Sequence, residues 1–289
     1  MKLSVVIPYF RAAETVGVQL EALANQKLSE PWEVVISDNE GSDELKTIIR
    51  LFANRLPNLR LVDASDRRGE AHARNVGVRA AHGEAIAFCD ADDEVGEGWL
   101  AAMNDALSIH DFVACRVDPK RLNPPRIQRI FGKHPQQWEI MKAPYPPYFS
   151  HAGGGTLGFK RHVYKAVGGF DESWPVLTDT DFCFRARLAG FELHFVPDAV
   201  VSYRCRNTLN GLFKQACGWA KYRVRLYRRY RPSGLRVSNP WKRYILGWDR
   251  LRRTVADLKS QDTRASWVWR LGWLIGQLQG SARYFTSPV

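Results

Sequence analysis

The chain has 289 residues, 45% of them hydrophobic and 25% charged, which excludes an intrinsically disordered protein and leaves room for one sizeable α/β domain with an appended segment. Net charge is +12, but residues 206–289 hold 18 Lys and Arg against 3 Asp and Glu, or +15, leaving 24 against 27, or −3, for residues 1–205. A basic block confined to the last third implies an anionic partner for that third: a membrane surface, a phosphorylated substrate or nucleic acid.

Along the chain, apolar β-branched runs alternate with helical periodicity. The pattern predicts strand Leu3 to Ile7, helix Ala13 to Asn25, strand Glu33 to Ile36, helix Asp43 to Asn54, strand Leu59 to Val62, helix Glu70 to Ala81 and strand Ala85 to Cys89. This is the rhythm of βαβ units building a mainly parallel, Rossmann-like sheet flanked by helices. The runs Val34-Val35-Ile36 and Ile86-Ala87-Phe88 are apolar throughout, as strands covered on both faces should be. A helix is expected over Gly98 to Leu107. Residues 118–147, rich in proline and basic side chains, read as a long irregular connection. Order returns after Gly153-Gly154-Gly155 with Thr156 to Lys160, a short helix near His162 to Val167, a helix from Thr178 to Ala189 ending at Gly190, and two short strands, Leu193 to Val196 and Val200 to Tyr203. Composition changes near Arg206. The expected organisation is therefore an α/β domain over 1–205, in two parts of about 1–117 and about 118–205, followed by a helical, basic, tryptophan-rich extension over 206–289.

Cys89, Cys115, Cys183, Cys205 and Cys217 are odd in number, scattered and without CxxC spacing, so reduced thiols in a reducing compartment are expected. The apolar run Leu3 to Ile7 is too short for a signal-peptide core or a membrane span, so the chain is expected to start as a strand in the cytoplasm.

In an open parallel sheet, ligands bind beyond the carboxyl ends of the strands. Three strand ends carry chemistry: Pro8-Tyr9, Asp38-Asn39, and Asp90-Ala91-Asp92-Asp93. Three carboxylates within four residues repel one another unless a cation holds them, and a hard divalent ion engages one or two carboxylates together with substrate phosphates. The plain alternative is an acidic turn capping the helix near Gly98. Upstream, Arg68-Gly69-Glu70-Ala71-His72-Ala73-Arg74-Asn75 crosses a loop-to-helix junction, where Arg68, Arg74 and free backbone N–H groups suit phosphate, or simply start a solvated helix.

Seven pieces together resemble the family 2 glycosyltransferases, whose nucleotide-sugar-binding fold is called GT-A. They are Val5-Val6-Ile7-Pro8-Tyr9-Phe10, Ser37-Asp38-Asn39 with Gly41-Ser42, Arg68-Gly69 through Val76-Gly77, Ala81-His82-Gly83-Glu84, Phe88-Cys89-Asp90-Ala91-Asp92-Asp93, Gly168-Gly169-Phe170-Asp171-Glu172, and Thr178-Asp179-Thr180-Asp181 to Arg185. The resemblance implies a nucleotide-sugar donor, UDP-linked by default. It places the nucleoside on Pro8, Tyr9 and Asp38, and makes Asp90 and Asp92 a DXD motif, with Asp92 the direct ligand of Mn²⁺ or Mg²⁺ and Asp90 nearer the ribose. It also implies transfer with inversion onto an acceptor hydroxyl, with Asp179 as the base. Two departures stand out: Glu40 is an extra residue between Asn39 and Gly41, and Ser202-Tyr203-Arg204 lacks a His that many relatives carry there.

Inversion needs a carboxylate base and stabilisation of the departing diphosphate. Asp181 is a second candidate base. A helix start could account for both aspartates, since Thr178 with Asp181 resembles a capping box and Asp181 with Arg185 an i, i+4 ion pair. Gly154 and Gly155 either let backbone approach the sugar or form a plain turn, and His151 and Trp174 are assigned to packing or the acceptor rim. In the extension, Leu209, Leu212, Phe213, Ala216, Cys217, Ala220, Val224 and Tyr227 follow helical spacing among Lys and Arg, and six of ten Trp residues lie beyond 206. That mixture suits contact with an anionic membrane, at its cytoplasmic inner face, and a lipid-linked sugar or glycan acceptor. The competing reading is a helical appendage packed on the catalytic domain. Nucleic acid is the least favoured partner, because no recognised motif accompanies the charge. Trp267 to Leu278 is too short to span. A nucleotidyltransferase with a similar acidic site, and a non-catalytic nucleotide-sugar-binding module, are the rival functions.

Overall fold

The computed structural model describes residues 2–289, apart from the side chain of Asp257. The chain divides into two compact units: Met1–Leu122, His134–Met141 and Ser150–Arg204 form the first, and Asn123–Lys133, Lys142–Phe149 and Cys205–Val289 the second.

The first unit opens as the periodicity requires, with β1 (Leu3–Tyr9), α1 (Ala13–Ala24), β2 (Trp32–Asp38), α2 (Asp43–Phe52), β3 (Leu59–Asp63), α3 (Glu70–Ala80) and β4 (Ala85–Phe88). Alternation sends Val5 and Ile7 into a core with Val16, Leu20 and Leu23 of α1, and Val6 into a second core with Val35, Phe88 and Val78. Then come β5 (Glu94–Val95), α4 (Trp99–Ile109) and β6 (Phe112–Asp118). The connection expected over 118–147 is not structureless: it holds α5 (Pro125–Phe131), a 3₁₀ turn at Pro135–Gln137 and β7 (Met141–Lys142). Pro125 starts α5 in the first helical turn, where a missing N–H costs nothing. After β8 (Ser150–His151) and a 3₁₀ turn at Gly154–Thr156 follow β9 (Leu157–Lys160), α6 (Arg161–Val167), α7 (Thr178–Leu188) and β10 (His194–Ser202).

An eight-stranded sheet has the order β3-β2-β1-β4-β9-β6-β10-β5. Strands β3, β2, β1 and β4 run parallel, β9 inserts antiparallel between β4 and β6, and β10 runs parallel to β6. The two short strands expected at 193–196 and 200–203 are one, β10, whose register shifts between Val196 and Val200. Pro197 has no N–H to give the ladder, so the strand bulges there rather than ending.

In the second unit, α8 (Leu209–Tyr230), α9 (Pro240–Arg253) and α10 (Gln261–Tyr284) are helices. Gly272, Gly276 and Gly280 give α10 a bare edge against α8. A methyl group at Gly272 would sit 2.7 Å from the Phe213 carbonyl oxygen, and one at Gly280 2.6 Å from that of Lys221. Ala216, Ala220 and Val224 of α8 face this edge and are fully buried. The apolar stripe predicted over 209–227 is thus taken up inside the unit over most of its length, with Leu209 at its start left 43% exposed. Trp269 packs edge-on against Trp219 and Phe131. Among the described residues, no helix is long and apolar enough to cross a membrane.

Candidate active site

Register brings the strand ends together. Tyr9 pairs with Asp38 and Asp38 with Asp63, while Val6 pairs with Phe88, so the segments after β1, β2, β3 and β4 leave the sheet along one edge. At Asp38, one carboxylate oxygen accepts the backbone N–H groups of Glu40 and Gly41, both at 2.9 Å, and the other that of Ser42 at 2.9 Å. Ser42 in turn caps α2 by accepting from Leu45. The extra residue Glu40 is absorbed in this turn and accepts the N–H of Arg11. Tyr9 is buried, which raises its phenol pKa, and Pro8 is half-buried. Asn39 donates to the carbonyls of Ala64 and Arg67 and accepts from Gly69, fixing the loop that carries Arg68. Arg68 is exposed, its guanidinium 5.8 Å from the ring of half-exposed Phe10, and among the described residues it makes no ion pair. It is therefore the accessible cation of the predicted pair.

Arg74 lies inside. It is fully buried, pairs with Glu70 at 2.6 Å and Asp90 at 3.2 Å, and donates to the hydroxyl of Thr178 at 3.3 Å. Its neighbouring carboxylates hold its pKa above the ordinary arginine value against burial. The Glu70–Arg74 spacing is an i, i+4 ion pair, legible in the sequence.

The acidic run divides three ways. Burial pushes Asp90 up to about 7, with Arg74 opposing and Glu70, Asp92 and Asp179 adding to the rise. Asp93 is buried and accepts the N–H of Arg204 at 2.8 Å; burial drives it well above the carboxylate range. Asp92 is half-buried, and its carbonyl accepts from the Arg204 guanidinium at 2.9 Å. The run does not cap the following helix, since the N-cap of α4 is Gly98, with no side-chain cap. The Arg204 guanidinium thus lies against this turn.

The capping box that Thr178 and Asp181 resemble, the alternative to a catalytic role, is also absent. The N-cap of α7 is Leu177, in the left-handed region at φ 60°, and no side chain caps it. Thr178 faces Arg74 instead. Asp181 is buried and pairs with Arg185 at 2.8 Å, the expected i, i+4 pair. Asp179 turns the other way: one carboxylate oxygen accepts from Gly154 N–H at 2.9 Å and the other from Thr180 N–H at 2.7 Å. Its pKa is raised, by burial first and Glu70 second, against the pull of Arg74.

The glycines join these groups. A methyl group at Gly155 would lie 2.5 Å from the Asp90 carboxyl carbon, and one at Gly154 would overlap the Arg74 guanidinium. Glycine at both positions lets this loop lie against buried Arg74 and half-buried Asp90; the loop is ordered into a 3₁₀ turn. Gln136, buried, holds it by accepting from Gly153 N–H and donating to Thr156 and to the Cys115 carbonyl. Gln19 does the same for the acidic turn, donating to the Asp90 carbonyl and accepting from Val95. Neither amide carries a sequence signal, because an isolated Gln has no spacing that announces burial.

Asn75 locks the Gly169-Phe170-Asp171-Glu172 segment to α3. It donates to the Phe170 carbonyl and to Glu172 at 2.8 and 2.9 Å, and accepts from Phe170 N–H and the Tyr164 hydroxyl, each at 2.9 Å. Asn75→Ala strands buried backbone groups and is expected to lower unfolding stability by about 2–4 kcal/mol, read by urea denaturation. A loss below about 0.5 kcal/mol would show the lock to be dispensable.

Among the described residues, no three His, Cys, Asp or Glu side chains converge to hold a metal ion. Asp92 with Asp90 can supply one or two carboxylate oxygens, which fits Mg²⁺ or Mn²⁺ only if diphosphate and water complete the shell.

A family model described as glycosyl transferase family 2 matches residues 4–168. The glycosyltransferase YwdF of Bacillus subtilis (strain 168), itself described as uncharacterized, is 26% identical over 208 residues, 70% of this chain and 74% of that protein. Chondroitin synthase of Escherichia coli is 32% identical over 113 residues, 39% of this chain but only 16% of that protein. Among solved structures, the mannosyltransferase PcManGT from Pyrobaculum calidifontis, in complex with GDP-Man and Mn²⁺, superposes with a TM-score of 0.67 at 20% identity, over 96% of this chain and 86% of that one. Staphylococcus aureus TarS 1-349 in complex with UDP-GlcNAc gives 0.54 at 19% identity, over 99% and 93%. At these identities the structures speak for the fold alone, and the fold is GT-A.

Proposed function

The chain belongs to glycosyl transferase family 2 and is a glycosyltransferase, and from that premise we propose that it moves a sugar, with inversion, from a UDP-sugar to an acceptor hydroxyl. The observation that carries the reading is the convergence of Arg74, Asp90, Asp179 and the Gly154-Gly155 loop beside the strand ends. GDP-Man in PcManGT and UDP-GlcNAc in TarS support a nucleotide-sugar donor of this general kind.

In this reading, Pro8, Tyr9 and Asp38 receive the nucleoside and Arg68 the diphosphate, a role suited to an exposed cation held by a loop that Asn39 fixes. Asp92, with Asp90 beside it, would hold Mn²⁺ or Mg²⁺, which when bound neutralises charge on the diphosphate leaving group. Arg74 stays charged and buried, restraining Asp90. Asp179 takes the proton of the acceptor hydroxyl as its oxygen attacks the anomeric carbon and the carbon–oxygen bond to diphosphate breaks. Its raised pKa suits a base, because proton-transfer efficiency is greatest when the pKa approaches the working pH. Asp181, committed to Arg185 inside the fold, is left a structural role.

The acceptor is proposed as a glycan or lipid-linked sugar in polysaccharide, glycolipid or envelope-glycan synthesis, met at the cytoplasmic face of an anionic membrane that residues 206–289 touch. The +15 balance of that segment supports this part. The test is a panel of nucleotide sugars assayed for nucleoside diphosphate release with Mn²⁺ and with chelator. Release from a UDP-sugar that chelator abolishes is expected. Pyrophosphate release from a nucleoside triphosphate, or no release from any donor, overturns the reading.

A further inference from the structure

The helix that the sequence singled out for lipid, α8, has spent its apolar face on α10, so the membrane-facing element of the extension must be sought elsewhere. Helix α9 offers it. Tyr244 and Leu251 turn inward to pack with Leu274, while Trp241, Ile245 and Trp248 stand at i, i+4 and i+7 along an adjoining face, 52%, 63% and 36% exposed. Tyr244 braces both indoles edge-on, at 6.2 and 6.3 Å between ring centres. Lone surface hydrophobics need no explanation, but a row of two Trp and one Ile on a single helical turn repeat does.

Charge surrounds that row. Helix α9 carries Lys242, Arg243, Arg250, Arg252 and Arg253 against one acid, Asp249, and Asp249 is neutralised by Arg252 at 3.3 Å and Arg253 at 2.7 Å. Exposed indoles beside a cationic face are what an interfacial helix presents to a bilayer: the rings seat at headgroup depth while Lys and Arg meet anionic headgroups. We propose that α9 is a membrane-docking helix, with Trp241, Ile245 and Trp248 entering an anionic lipid surface. This deepens the membrane contact proposed above and rests on that reading, but names the element and the side chains. A single-stranded nucleic acid would also meet cations and stacking rings, yet Ile245 at the centre of the row offers nothing to stack.

The full chain would be sedimented with vesicles of phosphatidylcholine alone and of phosphatidylcholine with phosphatidylglycerol, beside the W241A/I245A/W248A variant. The variant removes the three exposed side chains together with the indoles' edge-on contacts to Tyr244, so its circular dichroism should match the parent while its melting falls slightly. Binding to the phosphatidylglycerol vesicles with a blue-shifted tryptophan emission is expected, weakened in the variant by about 10- to 100-fold. Equal binding by parent and variant overturns the assignment, as does preference for a single-stranded oligonucleotide that the vesicles fail to displace. Diphosphate release from the soluble donor is measured in parallel. Its presence with unchanged vesicle binding sinks α9 alone, and its absence in the parent sinks the glycosyl-transfer reading while leaving α9 to be judged by binding.

Discussion

Asp179→Asn is expected to lower kcat for sugar transfer by about 10²- to 10⁴-fold, the range a positioned general base supplies. The substitution is nearly isosteric, so the loop should stay in place, but it is not silent structurally. Both carboxylate oxygens accept a backbone N–H, from Gly154 and from Thr180. An amide has one oxygen, so one of those bonds is lost, at a cost of about 1 kcal/mol. A residue that only holds the glycine loop would show that cost in unfolding while kcat fell no more than about fivefold. A base shows the reverse: donor KM within about threefold, stability slightly lower, and turnover collapsed.

The pH profile separates the two further. Burial and Glu70 raise the Asp179 pKa, so the neutral, inactive form persists above the ordinary carboxylate value of about 4. As pH falls through that raised value, kcat of the parent should drop, and the residual activity of the Asn variant should lack that limb. A limb unchanged in the variant would assign it to another group and remove Asp179 from the chemistry.

Much of this arrangement is legible in the chain. Strands β1, β2 and β4 are announced by apolar β-branched runs and helices α1 to α3 by their period, so the crevice at the strand ends follows from topology before any side chain is placed. Asp181–Arg185 is visible as an i, i+4 pair. What spacing could not give is direction. Thr178 and Asp181 carry the letters of a capping box, yet the chain enters α7 through Leu177 in the left-handed region, and the same letters then point at Arg74 and Arg185. Strand β6, Phe112–Asp118, goes unread because its partners, β9 and β10, lie far along the sequence. The stripe of α8 is read correctly as amphipathic but its occupant is not: three glycines on α10, spaced four apart, are what claims it. Periodicity tells which face is buried, and only the partner helix tells against what.

Asp92→Ala is expected to reduce Mn²⁺-dependent transfer by about 10²- to 10³-fold and to make activity with Mn²⁺ and with chelator alike. The Asp92 carbonyl keeps its bond from Arg204 in the variant, since alanine retains the backbone. Removing the side chain also acts on its neighbours, because Asp92 adds, after burial, to the raised pKa of both Asp90 and Asp93. Asp90 should therefore titrate lower in the variant. A metal ligand, when deleted, takes the Mn²⁺ dependence of UDP binding with it whatever the melting curve does. Calorimetric titration of UDP in Mn²⁺ and in chelator, beside a melting curve, reads both. A variant that melts several degrees early while still binding UDP more tightly with Mn²⁺ would place the cation elsewhere.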